Sequence, residues 1–396
     1  MTNIAVVNYG SKNDYARMLH EQAGQLYIFS HHDIAGVTDT GRFAHYEHVP
    51  DCEFLPYAEL RIRQLAEDVR FDHVLTDNEY DLERVARIRS HLGLPGQSEE
   101  SALSFRDKVV MKQVAGKRVR TPRFSGLGTF TDLLDFITET SYPVVVKPRK
   151  QGGSRDIVIL HGKDDLVRFS RRHWRDDLMV EEFIDGHVFH VDAVLADGYR
   201  FISCSRYLRT CLGVLAGENN GSIQLHPADP VAVELESFLD QTLEAFDTPD
   251  VCAYHLEVFR TSDGGLLLCE IASRAGGARV PAITRATYGI DLLETWLRLS
   301  CGLPVAAVPG RPPAMLHAAV AVVPQGRALR APKRPPFDWV TQYEVNTALA
   351  PDAVAQNSTS NLCFALVEGT RFDELRVRLL EVERWVLDNL VEDDLR

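Results

Sequence analysis

The feature that most constrains how this chain can fold is the segment 255–277, in which two apolar runs flank a pair of glycines. Glu257 lies in the first run and Glu270 in the second, and Gly264 and Gly265 stand between them. Short apolar runs separated by glycine predict a β-hairpin, which would bring the two glutamates side by side on one face. Paired carboxylates can hold a hard divalent cation such as Mg²⁺, which prefers oxygen ligands. The segment therefore predicts a metal site on an antiparallel hairpin.

Arg274 follows the second glutamate by four residues, where the apolar run gives way to a loop that contains Gly276 and Gly277. A guanidinium fixed at this point could bind a transferring phosphoryl group or a carboxylate at two points. The alternative is a solvated hairpin with acids on its exposed face. A bare hairpin does not explain the arginine or the glycines that follow it, so we favour the functional interpretation.

A second apolar run, 142–147, ends in Lys147, and a glycine-rich turn follows at 151–155. A lysine offers a compact positive charge to a phosphate oxygen, and glycines let backbone N–H groups approach phosphates closely. The run lacks the Gly-Lys-Ser/Thr of a Walker loop. Taken alone, the pattern favours a surface lysine next to a hairpin turn.

The segment 179–186 reads as a strand that ends in Glu181 and Glu182 and turns at Gly186. Such a strand end could form a hinge that hydrogen-bonds adenine through backbone groups, with Glu181 reaching the amino edge of the base. Strands that end in acids are common, so this segment carries little weight by itself.

The first hundred residues alternate apolar runs with stretches of helical periodicity, which predicts a parallel α/β sheet. The expected strands are 4–7 and 74–76, and the expected helices are 57–69 and 80–92. A Gly-Leu-Pro-Gly run at 93–96 marks the end of this unit.

Beyond residue 101 the pattern changes. A helix leads into a strand at 144–146, and the segment 157–268 contains several short strands that favour an antiparallel sheet. The proline-rich segment 303–336 is expected to mix short strands with loop, and an amphipathic helix begins near Phe372. The fold class is therefore multidomain, with an N-terminal parallel α/β unit followed by an α+β unit.

The charge balance and the cysteines restrict the partners and the compartment. With a formal net charge of −13, the molecule should repel nucleic acid, so local cations and backbone amides must hold any anionic ligand. No stretch approaches the roughly 18–20 apolar residues of a membrane helix, and the N-terminus reads as a strand rather than a signal peptide. Seven cysteines without a CxxC pair argue against a zinc knuckle and a disulfide framework. We expect a cytoplasmic protein that binds neither nucleic acid nor membrane.

Taken in order, these residues resemble the ATP-grasp superfamily, and the resemblance covers roughly residues 101–302. The upstream unit resembles the α/β domain that usually precedes that fold. The resemblance implies an N-terminal α/β domain at 1–100, a first ATP-grasp subdomain at 101–184, a second subdomain with the active-site hairpin at 185–302 and a C-terminal subdomain at 303–396.

The resemblance also implies a role for each matching position. The expected ATP contacts are Lys108 and Lys147 at the phosphates, Ser154 in the phosphate turn, Glu181, Glu182 and Ile184 around the adenine, and Phe259 and Cys269 packed against the base. The expected metal ligands are Glu257 and Glu270, holding two Mg²⁺ ions, with Mn²⁺ as a substitute. Arg274 would steady an acyl phosphate, with Gly276 and Gly277 next to the substrate.

The segment 270–277, Glu-Ile-Ala-Ser-Arg-Ala-Gly-Gly, is most similar to the L-amino acid ligases that make dipeptides, as in antibiotic biosynthesis. The resemblance implies an ADP-forming ligase that joins a small-molecule carboxylate and an amine through an acyl phosphate, and it allows a homodimer. Purine-pathway enzymes share a similar Glu-x-Ala-x-Arg, so a carboxylate ligase or carboxylase of nucleotide metabolism stays open. A regulatory protein that binds ATP without turnover stays open too.

Two positions depart from the family pattern. Ala272 stands where many members carry an asparagine that ligates metal, so fewer protein ligands would hold the second Mg²⁺. Val188 stands where an acid often binds the ribose, which leaves the ribose contact open.

Four other polar positions are weaker candidates. His187 and His190 lie three apart on an expected strand, so they would face opposite sides and make a poor metal pair. Arg206 and Tyr207 fit the lining of an acceptor pocket as well as they fit the surface.

Overall fold

The computed structural model describes residues 2–9, 12–35, 38–49, 55–172, 174–209, 213, 217–277, 279–323, 329–346 and 361–392. Strands and helices are numbered in chain order. The strands are β1 (Ile4–Asn8), β2 (Leu26–Ser30), β3 (His45–His48), β4 (His73–Thr76), β5 (Phe124–Gly126), β6 (Val144–Pro148), β7 (Val158–Leu160), β8 (Leu178–Glu182), β9 (Gly186–Ala196), β10 (Tyr199–Tyr207), β11 (Asn220–Gln224), β12 (Cys252–Thr261), β13 (Leu266–Ala272), β14 (Leu316–Val322), β15 (Leu329–Arg330), β16 (Val340–Val345), β17 (Cys363–Gly369) and β18 (Val391–Glu392). The helices are α1 (Tyr15–Met18), α2 (Tyr57–Leu65), α3 (Leu82–Leu92), α4 (Glu99–Arg106), α5 (Lys108–Ala115), α6 (Phe130–Thr140), α7 (Lys163–Arg172), α8 (Pro230–Leu243), α9 (Val280–Tyr288), α10 (Leu292–Ser300) and α11 (Phe372–Asp388).

The N-terminal unit is a parallel sheet in the order β3-β2-β1-β4, as the alternating sequence predicts. Every residue of β1 is buried. Ile4 and Val6 pack into one apolar cluster, whereas Ala5 and Val7 pack into another, because successive side chains of a strand point to opposite faces. A parallel sheet covered on both faces requires continuous apolar strands, which explains the unbroken apolar run in β1.

A small antiparallel sheet in the order β5-β8-β6-β7 follows. Strand β6 carries Lys147 near its end, and β8 carries Glu181 opposite Val145 of β6. Helices α6 and α7 cover this sheet, and their buried Leu133 and Phe169 belong to its core cluster. The sheet thus places the predicted strand lysine and the predicted hinge acids on adjacent strands.

The large antiparallel sheet has the order β13-β12-β9-β10-β11-β14-β17-β16. The hairpin predicted from the sequence is β12 and β13, at one edge of this sheet. The C-terminal strands extend the same sheet, since Asn220 of β11 pairs with Ala321 of β14. Helix α11 buries Leu375, Leu379 and Val382 against it, as expected for an amphipathic helix. The boundary at 302–303 stays a prediction.

Helix α5 begins at Lys108 because Asp107 caps it. The Asp107 carboxylate accepts hydrogen bonds from the backbone N–H groups of Val109 and Val110, at 3.0 and 3.3 Å. This cap fixes the side chain of Lys108 in the first turn of the helix. Across the described part of the chain, we find no helix with the length and apolar character needed to cross a membrane.

Candidate active site

A cavity of about 1100 Å³ is lined by residues of the two antiparallel sheets and by the segments that follow β1, β2 and β4 of the parallel sheet. Cavities that hold one drug-sized ligand measure roughly 300–1,000 Å³, so this one has room for a nucleotide and a second ligand. It brings together every site residue predicted from the sequence, namely Lys108, Lys147, Ser154, Glu181, Glu182, Ile184, Glu257, Phe259, Cys269, Glu270, Arg274, Gly276 and Gly277.

The two hairpin glutamates are direct partners in the β12–β13 register, as predicted. The Tyr207 hydroxyl donates a 2.8 Å hydrogen bond to Glu257 Oε1, and His255 Nε2 lies 3.7 Å from the same oxygen. Burial alone would raise the pKa of Glu257, but His255 and the Tyr207 hydroxyl lower it to about 2. Burial would lower the pKa of His255, but Asp192 and Glu257 raise it to about 10. Glu257 is therefore a carboxylate at neutral pH, as a metal ligand must be.

Lys108 connects the hairpin to the glycine-rich turn. Its Nζ lies 3.1 Å from Glu270 Oε2 and donates a 2.7 Å hydrogen bond to the carbonyl of Gln151. Gly153 and Ser154 in that turn have φ angles of 66° and 60°, a left-handed conformation that glycine adopts readily. The turn therefore follows a path that depends on its glycine, with a lysine ammonium beneath it.

Lys112, Lys147 and Glu181 form what we call the lysine cluster. Lys147 makes an ion pair with Glu181, and Lys112 Nζ lies 3.1 Å from the other oxygen of that carboxylate. Lys112 also donates hydrogen bonds of 3.1 and 2.9 Å to the carbonyls of Leu268 and Cys269 on β13. All three charged groups are buried. Burial lowers the pKa of Lys112, whereas for Lys147 the attraction of Glu181 outweighs burial and raises the pKa.

Arg106, Arg274 and Glu79 form what we call the arginine cluster. Arg274 donates hydrogen bonds of 3.0 and 2.7 Å to Glu79 Oε2, and Arg106 lies 3.5 Å from Glu79 Oε1. Burial opposes ionisation of Glu79, but Arg274 and Arg106 lower its pKa to about 2. A Cβ atom built on Gly152 would stand 1.8 Å from Glu79 Oε1. The absence of a side chain at Gly152 therefore lets the glycine-rich turn lie directly on this cluster.

The residues expected around the adenine line an apolar part of the cavity. Ile184, Phe259 and Cys269 lie on the wall with Val145 and Ile159. Burial raises the pKa of the Cys269 thiol, so the group stays neutral. Contact between these residues and the adenine stays a prediction. The contact of Glu181 with the amino edge of the adenine also stays a prediction, and in this structure the Glu181 carboxylate faces Lys112 and Lys147 instead.

The four weaker candidates, Arg206, Tyr207, His187 and His190, lie in different surroundings. Tyr207 lines the cavity, whereas the Arg206 guanidinium lies over the Phe372 ring at 4.3 Å. His187 is exposed and His190 is buried, in agreement with the expectation that they face opposite sides.

Sequence reasoning missed Glu79 and Lys112. Glu79 follows β4 in the polar run 77–79, and the carboxyl ends of parallel strands are where α/β sheets bind ligands. Lys112 lies four residues after Lys108, on the same face of α5. Both signals were present in the sequence, and neither was used.

Comparison with known proteins shows similarity to several ligases. The chain is 30% identical over 240 residues to the L-arginine-specific L-amino acid ligase of Bacillus subtilis, and the alignment covers 58% of each chain. The solved L-amino acid ligase of Bacillus licheniformis superposes with a TM-score of 0.75 at 18% identity, covering 100% of this chain and 99% of that one. A carboxyaminoimidazole ribonucleotide synthase of Aspergillus clavatus, complexed with ATP, gives 0.70 at 16% identity, covering 98% and 100%. No protein-family model matches the chain.

The structural likeness extends over the whole chain, and it includes the small sheet, the large sheet and the N-terminal parallel sheet. The sequence alignment spans 58% of the length of the curated ligase. The chain has the fold of these ATP-grasp ligases, and its sequence is similar to that of an L-amino acid ligase.

Proposed function

We propose that this protein is an ADP-forming carboxylate–amine ligase that joins amino acids through an acyl phosphate. The observation that carries the proposal is the meeting of the paired Glu257 and Glu270 with Lys108, Lys147 and Arg274 on one cavity. The similarity to an L-arginine-specific L-amino acid ligase supports an amino acid as substrate.

Mg²⁺ suits the donor set of the hairpin. Glu257 and Glu270 present two carboxylates in register, and the depressed pKa of Glu257 keeps that group ionised. We propose that these glutamates hold the metal, as two Mg²⁺ ions or with Mn²⁺ in their place. When bound, the metal would neutralise charge on the phosphates of ATP. The ATP complex of a structural relative supports the nucleotide.

In the first step, a substrate carboxylate oxygen attacks the γ-phosphorus of ATP while the bond to ADP breaks. Lys108 and Lys147 hold the phosphates, and the Arg274 guanidinium offsets the charge that moves onto the transferring group.

In the second step, an amine nitrogen attacks the acyl carbon and phosphate leaves, which gives an amide. No protein nucleophile takes part, and the departing phosphate can accept the proton that the amine loses. The residues of the chain orient the two substrates, which is the main contribution of a site that joins two molecules.

Release of ADP against a panel of amino acids, singly and in pairs, tests the proposal. ADP and phosphate should appear only with a carboxylate and an amine, in step with a product whose mass equals the two amino acids minus water. Glu270→Gln should remove most of the turnover while leaving the fold intact, because one charge facing the metal is lost.

Three results would contradict the proposal. Formation of AMP and pyrophosphate would exclude the acyl phosphate. ADP formation that responds to a phosphorylated nucleotide precursor rather than to amino acids would favour the nucleotide-metabolism alternative. A folded protein that binds ATP but forms no ADP with any pair would favour the regulatory alternative.

A further inference from the structure

A buried carboxylate outside the lining of the cavity connects two of its walls. Asp192, on β9, is 1% exposed. Its Oδ2 lies 2.6 Å from His190 Nδ1, and its Oδ1 lies 2.7 Å from His255 Nδ1. His190 is equally buried at 1%, and His255 lines the cavity. The three side chains lie on adjacent strands, with His255 and Asp192 as direct partners in the β9–β12 register.

The hydrogen bonds to Asp192 fix the orientation of both imidazoles. Burial would raise the pKa of Asp192, but His190 and His255 hold it below its usual range, so the group is ionised and only accepts hydrogen bonds. Each imidazole must then present Nδ1–H to this carboxylate, which directs its Nε2 away from it. His190 Nε2 reaches Ser222 Oγ at 2.6 Å, and His255 Nε2 faces Glu257 Oε1 at 3.7 Å. Ser222 and Glu257 both line the cavity.

We propose that Asp192 is a positioning residue that, through His255 and His190, fixes the Glu257 carboxylate and the Ser222 hydroxyl on the cavity wall. The inference rests on the proposed function, which makes Glu257 a metal ligand. Carboxylates that ligate metals are themselves held by hydrogen bonds, and loss of such a partner typically lowers metal affinity or activity about 10–100-fold.

The loop that carries Arg274 rests on the same pair. A Cβ atom built on Gly276 would stand 2.2 Å from Asp192 Oδ1 and 3.0 Å from His255 Nδ1. The backbone of the loop therefore packs directly against Asp192 and His255. The buried Asp192 carboxylate thus helps to position both Glu257 and the loop that carries Arg274.

His190, Asp192 and His255 are also close enough together to be considered a metal site. The ligand atoms that a metal would need, however, already hydrogen-bond one another at 2.6 and 2.7 Å. The cluster is therefore satisfied as a hydrogen-bonded unit, and we assign it to positioning rather than to metal binding.

Asp192→Asn tests the assignment because the amide keeps the shape of the side chain. One of its terminal atoms can accept from an imidazole, but the other is an NH₂ that faces an Nδ1–H. One ring must then lose its Nδ1 proton or turn. We measure ADP affinity by calorimetry with and without Mg²⁺, the kcat and KM for ATP, and the thermal midpoint. ADP affinity without Mg²⁺ should match the wild type, whereas the gain on adding Mg²⁺ should fall about tenfold or more and kcat about 10–100-fold.

Glu383→Gln is the matched control. Glu383 is a buried carboxylate, 6% exposed, that accepts hydrogen bonds from Asn219 at 2.6 Å and Arg209 at 2.8 Å outside the cavity lining. Its replacement should lower the thermal midpoint without changing the Mg²⁺ effect or kcat. His255→Asn is a second variant in case Asp192→Asn does not fold. It keeps a donor toward Asp192 but lacks the ring edge that faces Glu257, so it should also lose the Mg²⁺ effect.

Three results would overturn the assignment. The first is a normal Mg²⁺ effect and normal kcat in both cluster variants. The second is a loss in those variants that follows thermal stability as closely as it does in Glu383→Gln. The third is a stoichiometric transition metal in the purified wild type that Asp192→Asn lacks. Because ADP and Mg²⁺ binding is measured without amino acids, a wild type that binds both but forms no amide would contradict the proposed function and leave this assignment standing.

Discussion

The lysine cluster and the arginine cluster have the same composition, one carboxylate between two cations, but different surroundings. Lys112 of the lysine cluster is 0% exposed and is bonded to backbone carbonyls of β13, so the fold itself holds it. The Arg274 side chain of the arginine cluster is 18% exposed, and its partner Glu79 comes from the N-terminal unit. The first cluster is built into the sheets, whereas the second joins separate segments at the cavity surface.

This difference suggests separate roles for the two clusters. A cation held rigidly before the nucleotide arrives is suited to binding the ground state. The Arg274 guanidinium is held by the Glu79 carboxylate and by the Ala275 carbonyl, and it can exchange the carboxylate for a phosphoryl group whose charge grows during transfer. We therefore expect the lysine cluster to act mainly on ATP affinity and the arginine cluster mainly on the chemical step.

The largest effect is expected for Arg274→Ala. Loss of one charge-stabilising donor typically raises the barrier by about 2–4 kcal/mol, so kcat for ADP formation should fall about 30–1,000-fold while the Kd for ATP changes little. Steady-state kinetics and calorimetry on the same preparation measure the two quantities. Arg200→Ala, which removes a surface arginine paired with Asp240, is the control and should change neither. If ATP affinity falls as far as kcat, the separation between the clusters is wrong.

A smaller effect is expected for Lys147→Ala. A hydrogen bond to a charged group contributes about 1.5–3 kcal/mol, so the Kd for ATP should rise about 10–100-fold. Lys150→Ala is the control, because Lys150 lies on the same segment with its side chain 43% exposed and paired with Glu83. It should bind ATP normally. Unchanged ATP affinity in a folded Lys147→Ala protein would make the lysine cluster purely structural.

The sequence predicted contacts between residues that are close together in the chain, but not contacts between residues that are far apart in it. The pairing of Glu257 with Glu270 follows from one glycine turn, and the structure confirms it. The contact of Arg274 with Glu79 joins residues 195 positions apart, which no local pattern reveals. The sequence indicates which residue types carry the chemistry, but it does not show which distant carboxylate neutralises the arginine.

Local sequence patterns also did not predict the contacts of Asp192 or the sheet position of the C-terminal strands. In the sequence, the histidine nearest to His190 is His187, whereas the structure pairs His190 with Asp192, which also holds His255. The parallel N-terminal sheet was predictable because alternating strands and helices leave few topologies. The addition of β14, β17 and β16 to the large sheet was not, because β11 and β14 lie far apart in the chain.

The smallest effect is expected for Glu79→Gln, measured as stability against pH. The folded-state pKa of Glu79 is about 2, below its ordinary value of 4.5. Ionisation of Glu79 therefore favours the folded state above pH 4.5, and this contribution disappears as the pH falls from 4.5 to 2. The shift corresponds to at most about 3 kcal/mol, and screening by water in the cavity should reduce it to about 1–2 kcal/mol.

Urea unfolding of the wild type and Glu79→Gln between pH 7 and pH 3 measures this difference. The variant should be less stable at pH 7, and the gap should narrow below pH 4.5, because Glu79 of the unfolded wild type then binds a proton while Glu79 of the folded protein, with a pKa of about 2, stays ionised. The exposed Glu67→Gln is the control and should leave the free energy of unfolding unchanged. A gap that stays constant with pH would mean that Glu79 stabilises the protein by its shape alone. In that case the charge of Glu79 would not connect the N-terminal unit to the hairpin. The proposed difference in role between the two clusters would then depend on Arg274 alone.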